Sequence, residues 1–219
     1  MKIRWYGHAS FGITTEDGTH IIIDPYKSGS FDGAVGYAPI NDEADIVVVS
    51  HEHEDHNAVD TIGGKPEVVK GEGVFKVKDI EFKGISTFHD TSGGEERGDN
   101  IIFIFTVDDM KIAHLGDLGH IPSDEVLDEL KNLDVIFIPV GGHFTIGAEE
   151  AVEIMDKLQP YLVVPMHYKT EVLGFPIAPI SEFTGKVLCN IRETAKDTYA
   201  LTKDNLPDET EVLILNYVK

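Results

Sequence analysis

The segment Ser50-His51-Glu52-His53-Glu54-Asp55-His56 constrains this chain more than any other stretch. It follows directly on Ile46–Val49, a β-branched run of the kind that forms a strand buried on both faces. A loop at the end of such a strand is a frequent seat for chemistry, because a rigid element positions residues that solvent can still reach. His51 and His53 lie two positions apart, so in an extended chain both project to one side and can chelate one ion. Asp55 and His56 leave in another direction and suit a second ion a few ångströms away. Imidazole nitrogens mixed with carboxylate oxygens suit Zn²⁺, and also Mn²⁺ or Fe²⁺.

The flanking pattern predicts strands first and strand–helix alternation later. Ile3–Tyr6, Phe11–Thr15 and His20–Asp24 read as a meander that turns at Asp17-Gly18. Val74–Val77, Ile80–Phe88, Ile101–Val107 and Lys111–Leu115 follow as strands. Ser123–Leu133 and Ala148–Leu158 carry apolar residues at helical spacing, with Ser123 as an N-cap. Val135–Val140, Tyr161–Met166 and Val212–Val218 complete the strands. Such an order predicts mixed α/β layers, sheets inside and helices outside. No linker or low-complexity tract divides residues 1–219, so one domain is expected.

The pattern H-x-H-x-D-H is similar to the signature of the metallo-β-lactamase superfamily. That family's further ligands arrive at strand ends in a fixed order. Here His89 closes Ile80–Phe88, Asp117 follows Lys111–Leu115, and His167 closes Leu162–Met166. Gly7-His8-Ala9, Gly141-Gly142-His143-Phe144-Thr145 and Pro165-Met166-His167-Tyr168 resemble one branch in particular. That branch includes ascorbate-6-phosphate lactonase-like and N-acyl-phosphatidylethanolamine phospholipase D-like proteins.

The resemblance implies a four-layer αββα sandwich of two mixed sheets with outer helices. It implies one metal position held by His51, His53 and His89, and a second held by Asp55, His56 and His167, with Asp117 bridging them. Zinc is the expected ion, with manganese or iron as alternatives. The implied reaction is attack by a metal-held hydroxide, with Asp55 in the catalytic set, on a phosphodiester, lactone or other ester of a small molecule. An iron-dependent oxidoreductase resembling sulfur dioxygenases is the alternative on the same ligands. His53 weighs against it, since the diiron branch commonly has Glu there. Ala58 stands where the common signature has Gly, which bears on how a helix after His56 would pack. His89 follows His56 by only 33 positions, which argues against a β-lactam substrate.

Other residues have weaker standing. Asp24, before Pro25, is placed to accept the far N–H of a ligand histidine. His143, in a glycine loop after a strand, is a candidate for oxyanion stabilisation. His8 is a candidate for the site rim, and Arg97 and Lys169 are candidate cations for an anionic substrate. His114 reads as a core or supporting histidine, His20 and His120 as surface, and Cys189 as a buried apolar residue.

Composition narrows the partners. With 18 Lys+Arg against 39 Asp+Glu the net charge is −21, which opposes binding to nucleic acid or to anionic membranes. One cysteine excludes a disulfide framework. The amino-terminal residues lack an apolar signal region, and the apolar runs fall short of the ~20 residues of a membrane span. A cytoplasmic protein acting on a small molecule is therefore expected.

Overall fold

The computed structural model describes residues 1–219. Five strands come first: β1 (Lys2–Gly7), β2 (Ser10–Thr14), β3 (His20–Ile23), β4 (Glu43–Val49) and β5 (Gly63–Lys70). Then follow β6 (Gly73–Val77), β7 (Ile80–Phe88), β8 (Asp99–Val107) and β9 (Met110–His114). Helix α1 (Asp124–Glu129) leads to β10 (Val135–Pro139), and α2 (Ala148–Leu158) to β11 (Leu162–Met166). The chain ends with α3 (Ile180–Thr184), β12 (Asn190–Glu193), β13 (Thr198–Ala200) and β14 (Glu211–Ile214).

The strands make two mixed sheets. One has six strands in the order β13-β1-β2-β3-β4-β5, and the other eight in the order β12-β14-β11-β10-β9-β8-β7-β6. β3, β4 and β5 run parallel, as do β9, β10, β11 and β14. Period-2 alternation sorts the apolar residues of β3 and β4 between two clusters. Ile21, Ile23, Ile46 and Val48 enter the core between the sheets, while Ile22, Val47 and Val49 join the outer cluster. That is why these strands are apolar at successive positions.

The two outer layers differ. α2 buries Ala151, Ile154, Met155 and Leu158 in the main core, and Gln159 ends it in a left-handed turn. The outer face of the six-stranded sheet carries no helix of comparable length. Tyr26, Val35, Tyr37 and Ile40 cover it from an irregular segment, with Leu173 and Ile177 beside them. Pro25, Gly29, Gly33, Gly36 and Pro39 keep that segment from forming a helix.

Several expected elements come out shorter. α1 has Ser123 as its N-cap, but it stops at Glu129, and Asn132 (φ 58°) turns the chain back. The last strand ends at Ile214 rather than Val218. After His56 there is one 3₁₀ turn, Val59–Thr61, instead of a helix. Ala58 has φ −73°, so nothing there requires glycine. No helix is long and apolar enough to cross a membrane.

Two backbone hydrogen bonds join the sheets where the site lies. Ile101 N–H donates to Ser50 O at 3.0 Å, and His167 N–H donates to His8 O at 3.1 Å. Gly116 (φ +55°) makes the first approach possible. A Cβ there would stand 2.3 Å from Asn100 Oδ1 and 2.7 Å from Ser50 Cβ.

Candidate metal centre

The ends of β4, β7, β9 and β11 converge at one edge of the sandwich. His51, His53, Asp55 and His56 follow β4; His89 follows β7, Asp117 follows β9, and His167 follows β11. The seven predicted ligands are thus brought together. His51, His53 and His89 can each place a ring nitrogen within 4.8 Å of the others. Asp117 Oδ2 lies 3.1 Å from His89 Nε2 and 3.2 Å from the Nε2 atoms of both His56 and His167. Its carboxylate therefore stands between the two groups of histidines.

Hydrogen bonds behind the ligands set their tautomers. Asp24 is fully buried. It accepts Ser50 N–H at 2.7 Å, Ser50 Oγ–H at 2.6 Å and His56 Nδ1–H at 2.9 Å. Because the Ser50 hydroxyl donates to Asp24, it accepts from His51 Nδ1–H at 2.9 Å. His89 Nδ1–H donates to Phe144 O at 3.1 Å. All three histidines thus keep an Nε2 lone pair for the site. Asn100 Oδ1 accepts Asp117 N–H at 2.9 Å and ties β8 to Asp117.

Six buried atoms here have no protein partner: His51 Nε2, His56 Nε2, Asp55 Oδ1, Asp117 Oδ1, His8 Nδ1 and His167 Nδ1. Such groups are costly unless something satisfies them. Those on neutral His51 and His56 and on ionised Asp55 and Asp117 are lone-pair donors, so divalent cations fit them.

Electrostatics favour ionised carboxylates and divide the histidines. Burial opposes ionisation of Asp117, but His167 and His56 outweigh it and hold the carboxyl well below the usual range. Asp55 is likewise held low against burial, chiefly by His56 and His8. Burial would depress His56 also, yet Asp117 and Asp55 raise it well above its ordinary value, which favours a ring proton that a bound cation would displace. Burial, helped by His56, pushes His51 the other way.

The remaining candidates fall in different places. Asp24 sits behind His56 and His51, in the supporting position its sequence context suggests. His8 is not at the rim: it is wholly buried, with its Nε2 3.0 Å from Asp55 Oδ2. Burial first, and then His167, lower its imidazole to about 4. Its carbonyl accepts from His167 N–H and from Trp5 Nε1–H, both at 3.1 Å. One residue thereby restrains two of the candidate ligands, Asp55 and His167. His143 is exposed against the Phe144 ring and does not line the cavity, because a left-handed turn (φ 63°) aims it outward. Lys169 Nζ donates to Phe175 O at 2.9 Å, so its ammonium fastens a loop. Arg97 does line the cavity. His114 donates Nε2–H to Ala9 O at 2.9 Å and accepts Gly116 N–H at 3.1 Å, a supporting role. Cys189 is half-buried rather than buried.

Phe31, Phe144 and Phe175 also line the cavity, which measures about 270 Å³. Nothing in their spacing signals this, as they come from three separate loops. Asp90, beside His89, was likewise silent. Its carboxylate accepts the N–H groups of Ser92, Gly94, Glu96 and Arg97 at 2.7–3.0 Å. Those bonds overcome the effect of burial and hold it at about 2.

Residues 2–167 match the family model described as a beta-lactamase superfamily domain. A UPF0173 protein of Pyrococcus abyssi is 34% identical over 197 residues, covering 78% of this chain and 84% of the relative. A UPF0173 metal-dependent hydrolase of Thermococcus onnurineus is 30% identical over 200 residues, covering 78% and 85%. A crystal structure from Thermotoga maritima, of a candidate zinc-dependent hydrolase of the metallo-β-lactamase superfamily, is 33% identical. It covers 99% of both chains with a TM-score of 0.81. The chain belongs to the metallo-β-lactamase superfamily. Within that class it is a member of the UPF0173 family of metal-dependent hydrolases.

Proposed function

We propose that the protein hydrolyses an ester of a small molecule at two divalent cations, zinc foremost. Phosphodiesters and lactones head the candidate substrates, as the Gly7-His8-Ala9 and Pro165-Met166-His167-Tyr168 motifs suggest by their resemblance to the lactonase-like branch. The observation that carries the reading is the clustering of unpartnered buried lone-pair atoms on His51, His56, Asp55 and Asp117. His51, His53 and His89 would hold one ion, Asp55, His56 and His167 the other, and Asp117 would contact both. Bound ions there would supply Lewis acidity and a water acidic enough to react near neutral pH.

The protein's own groups do the rest. Asp24 and Ser50 orient His56 and His51. His8 orients Asp55 so that Oδ1 is left free for the site. Arg97 supplies a fixed positive charge for an anionic substrate oxygen. The charge of −21 fits a small substrate better than a polyanion.

Metal analysis followed by assays on phosphodiesters, lactones and acyl esters tests the reading. About two zinc ions per chain and metal-dependent turnover are expected. Asp117→Asn should cost more than the roughly 10–100-fold that losing an outer partner of a ligand costs. Iron with no hydrolytic turnover, or full activity in Asp117→Asn, overturns the reading.

A further inference from the structure

We infer, building on the hydrolase reading, that the cavity selects an anionic ester carrying an aromatic ring. Phe31, Phe144 and Phe175 hold the ring and Arg97 holds the charge. The three phenylalanines form one edge-to-face cluster. Phe31 and Phe175 have centroids 5.4 Å apart at 79°, and Phe144 and Phe175 5.5 Å apart at 69°. Edge-to-face sets of this kind present ring faces and edges to a further ring. The cluster shares its cavity with His53, His89, Asp117 and His167, so a bound ring would lie beside the reacting group.

Phe31 is the telling residue. It adopts φ +51°, a conformation that disfavours a bulky side chain, and it is 48% exposed. Neither backbone preference nor burial accounts for an aromatic there. Gly29 and Gly33 flank it with φ of +79° and +87°, turning the loop so that the ring meets the cavity.

The other rings are fixed to the site. Phe144 O accepts the Nδ1–H of His89, so this wall and a ligand move as one unit. Lys169 holds the loop of Phe175 through Phe175 O.

Arg97 is the cation of this cavity. Its guanidinium carbon lies 5.8 Å from the Phe144 ring centroid, and its backbone is pinned by Asp90. Its acidic partner is the adjacent Glu96, at 3.3 Å in a partly exposed pair that binds weakly. A cation kept next to two cation positions is repelled by them unless an anion lies between. The cavity has room for a ring joined to a phosphoryl-sized group.

Calorimetric binding of phenyl-, n-butyl- and methylphosphonate to the metal-loaded protein tests the inference. Phenylphosphonate should bind about tenfold more tightly than methylphosphonate, with n-butylphosphonate between them. Phe31→Ala, at a half-exposed position where the fold should persist, should shrink the phenyl preference to about threefold or less and leave methylphosphonate binding unchanged. Arg97→Gln should weaken all three by a similar factor of about ten. Equal binding of all three, or of phenyl and butyl, overturns the aromatic selection while leaving the hydrolase reading intact. A protein that takes up no metal and binds none of them overturns both.

Discussion

The two sides of the candidate metal centre are built differently. Asp55, His56 and His167 are almost fully buried, and each is restrained by a partner: His8 for Asp55, Asp24 for His56, and the His8 carbonyl for the His167 backbone. On the other side His51 and His89 are also buried and bonded, but His53 is exposed, and Arg97 rides on a loop gathered around one carboxylate, Asp90. The deep half is determined by packing against strand ends. The shallow half is determined by a few loop hydrogen bonds. Sites need both properties: rigid donors where a cation must be gripped, and adaptable walls where a substrate enters.

Three substitutions can break this contrast, in decreasing order of effect. Asp24→Ala removes the shared acceptor of Ser50 and His56 and leaves buried donors unsatisfied. It should destabilise the metal-free fold by about 3 kcal/mol in urea unfolding and impair metal uptake as well. A stable variant with normal metal content would show that the deep half does not depend on its supports.

His8→Ala should weaken the second metal position roughly 10–100-fold, as read by metal titration, and change the first much less. His8→Gln, which retains a donor for Asp55, should recover part of the loss. Equal weakening of both positions would argue that the halves are one unit. The smallest effect is expected from Asp90→Ala. Amide exchange should rise across residues 92–98, and KM should rise severalfold with kcat little changed, because Arg97 loses its anchor while the ligands keep theirs. A fall in kcat with unchanged KM would refute that division.

The ligand candidates were more legible in the sequence than the residues around them. Ligation demands particular residue types, and strand ends impose their spacing, so His51, His53, Asp55, His56, His89, Asp117 and His167 could be picked out before any coordinates. The supports were harder. His8 bonds a residue 47 positions away, so only the fold reveals the contact. The phenylalanine wall was silent because loops, which carry no periodicity, deliver it.

Elements failed to show for similar reasons. β5 reads Gly-Gly-Lys-Pro-Glu-Val-Val-Lys, and its strand state comes from pairing with β4 at a sheet edge where proline is tolerated. β12 is exposed along its whole length and takes its shape from β14. His143 misled because a loop after a strand does not by itself face the strand's end. Its positive φ turns it away.

The seam between the sheets has a mechanical consequence. The six-stranded sheet contributes His51, His53, Asp55 and His56 through the loop after β4, while the eight-stranded sheet contributes His89, Asp117 and His167. Cations gripped from both sides would rivet the sandwich closed at this edge. Chelation would then do more than silence a catalyst. It would withdraw a cross-link, and the edge that opened would be the one where the Ser50 and His8 carbonyls span the gap.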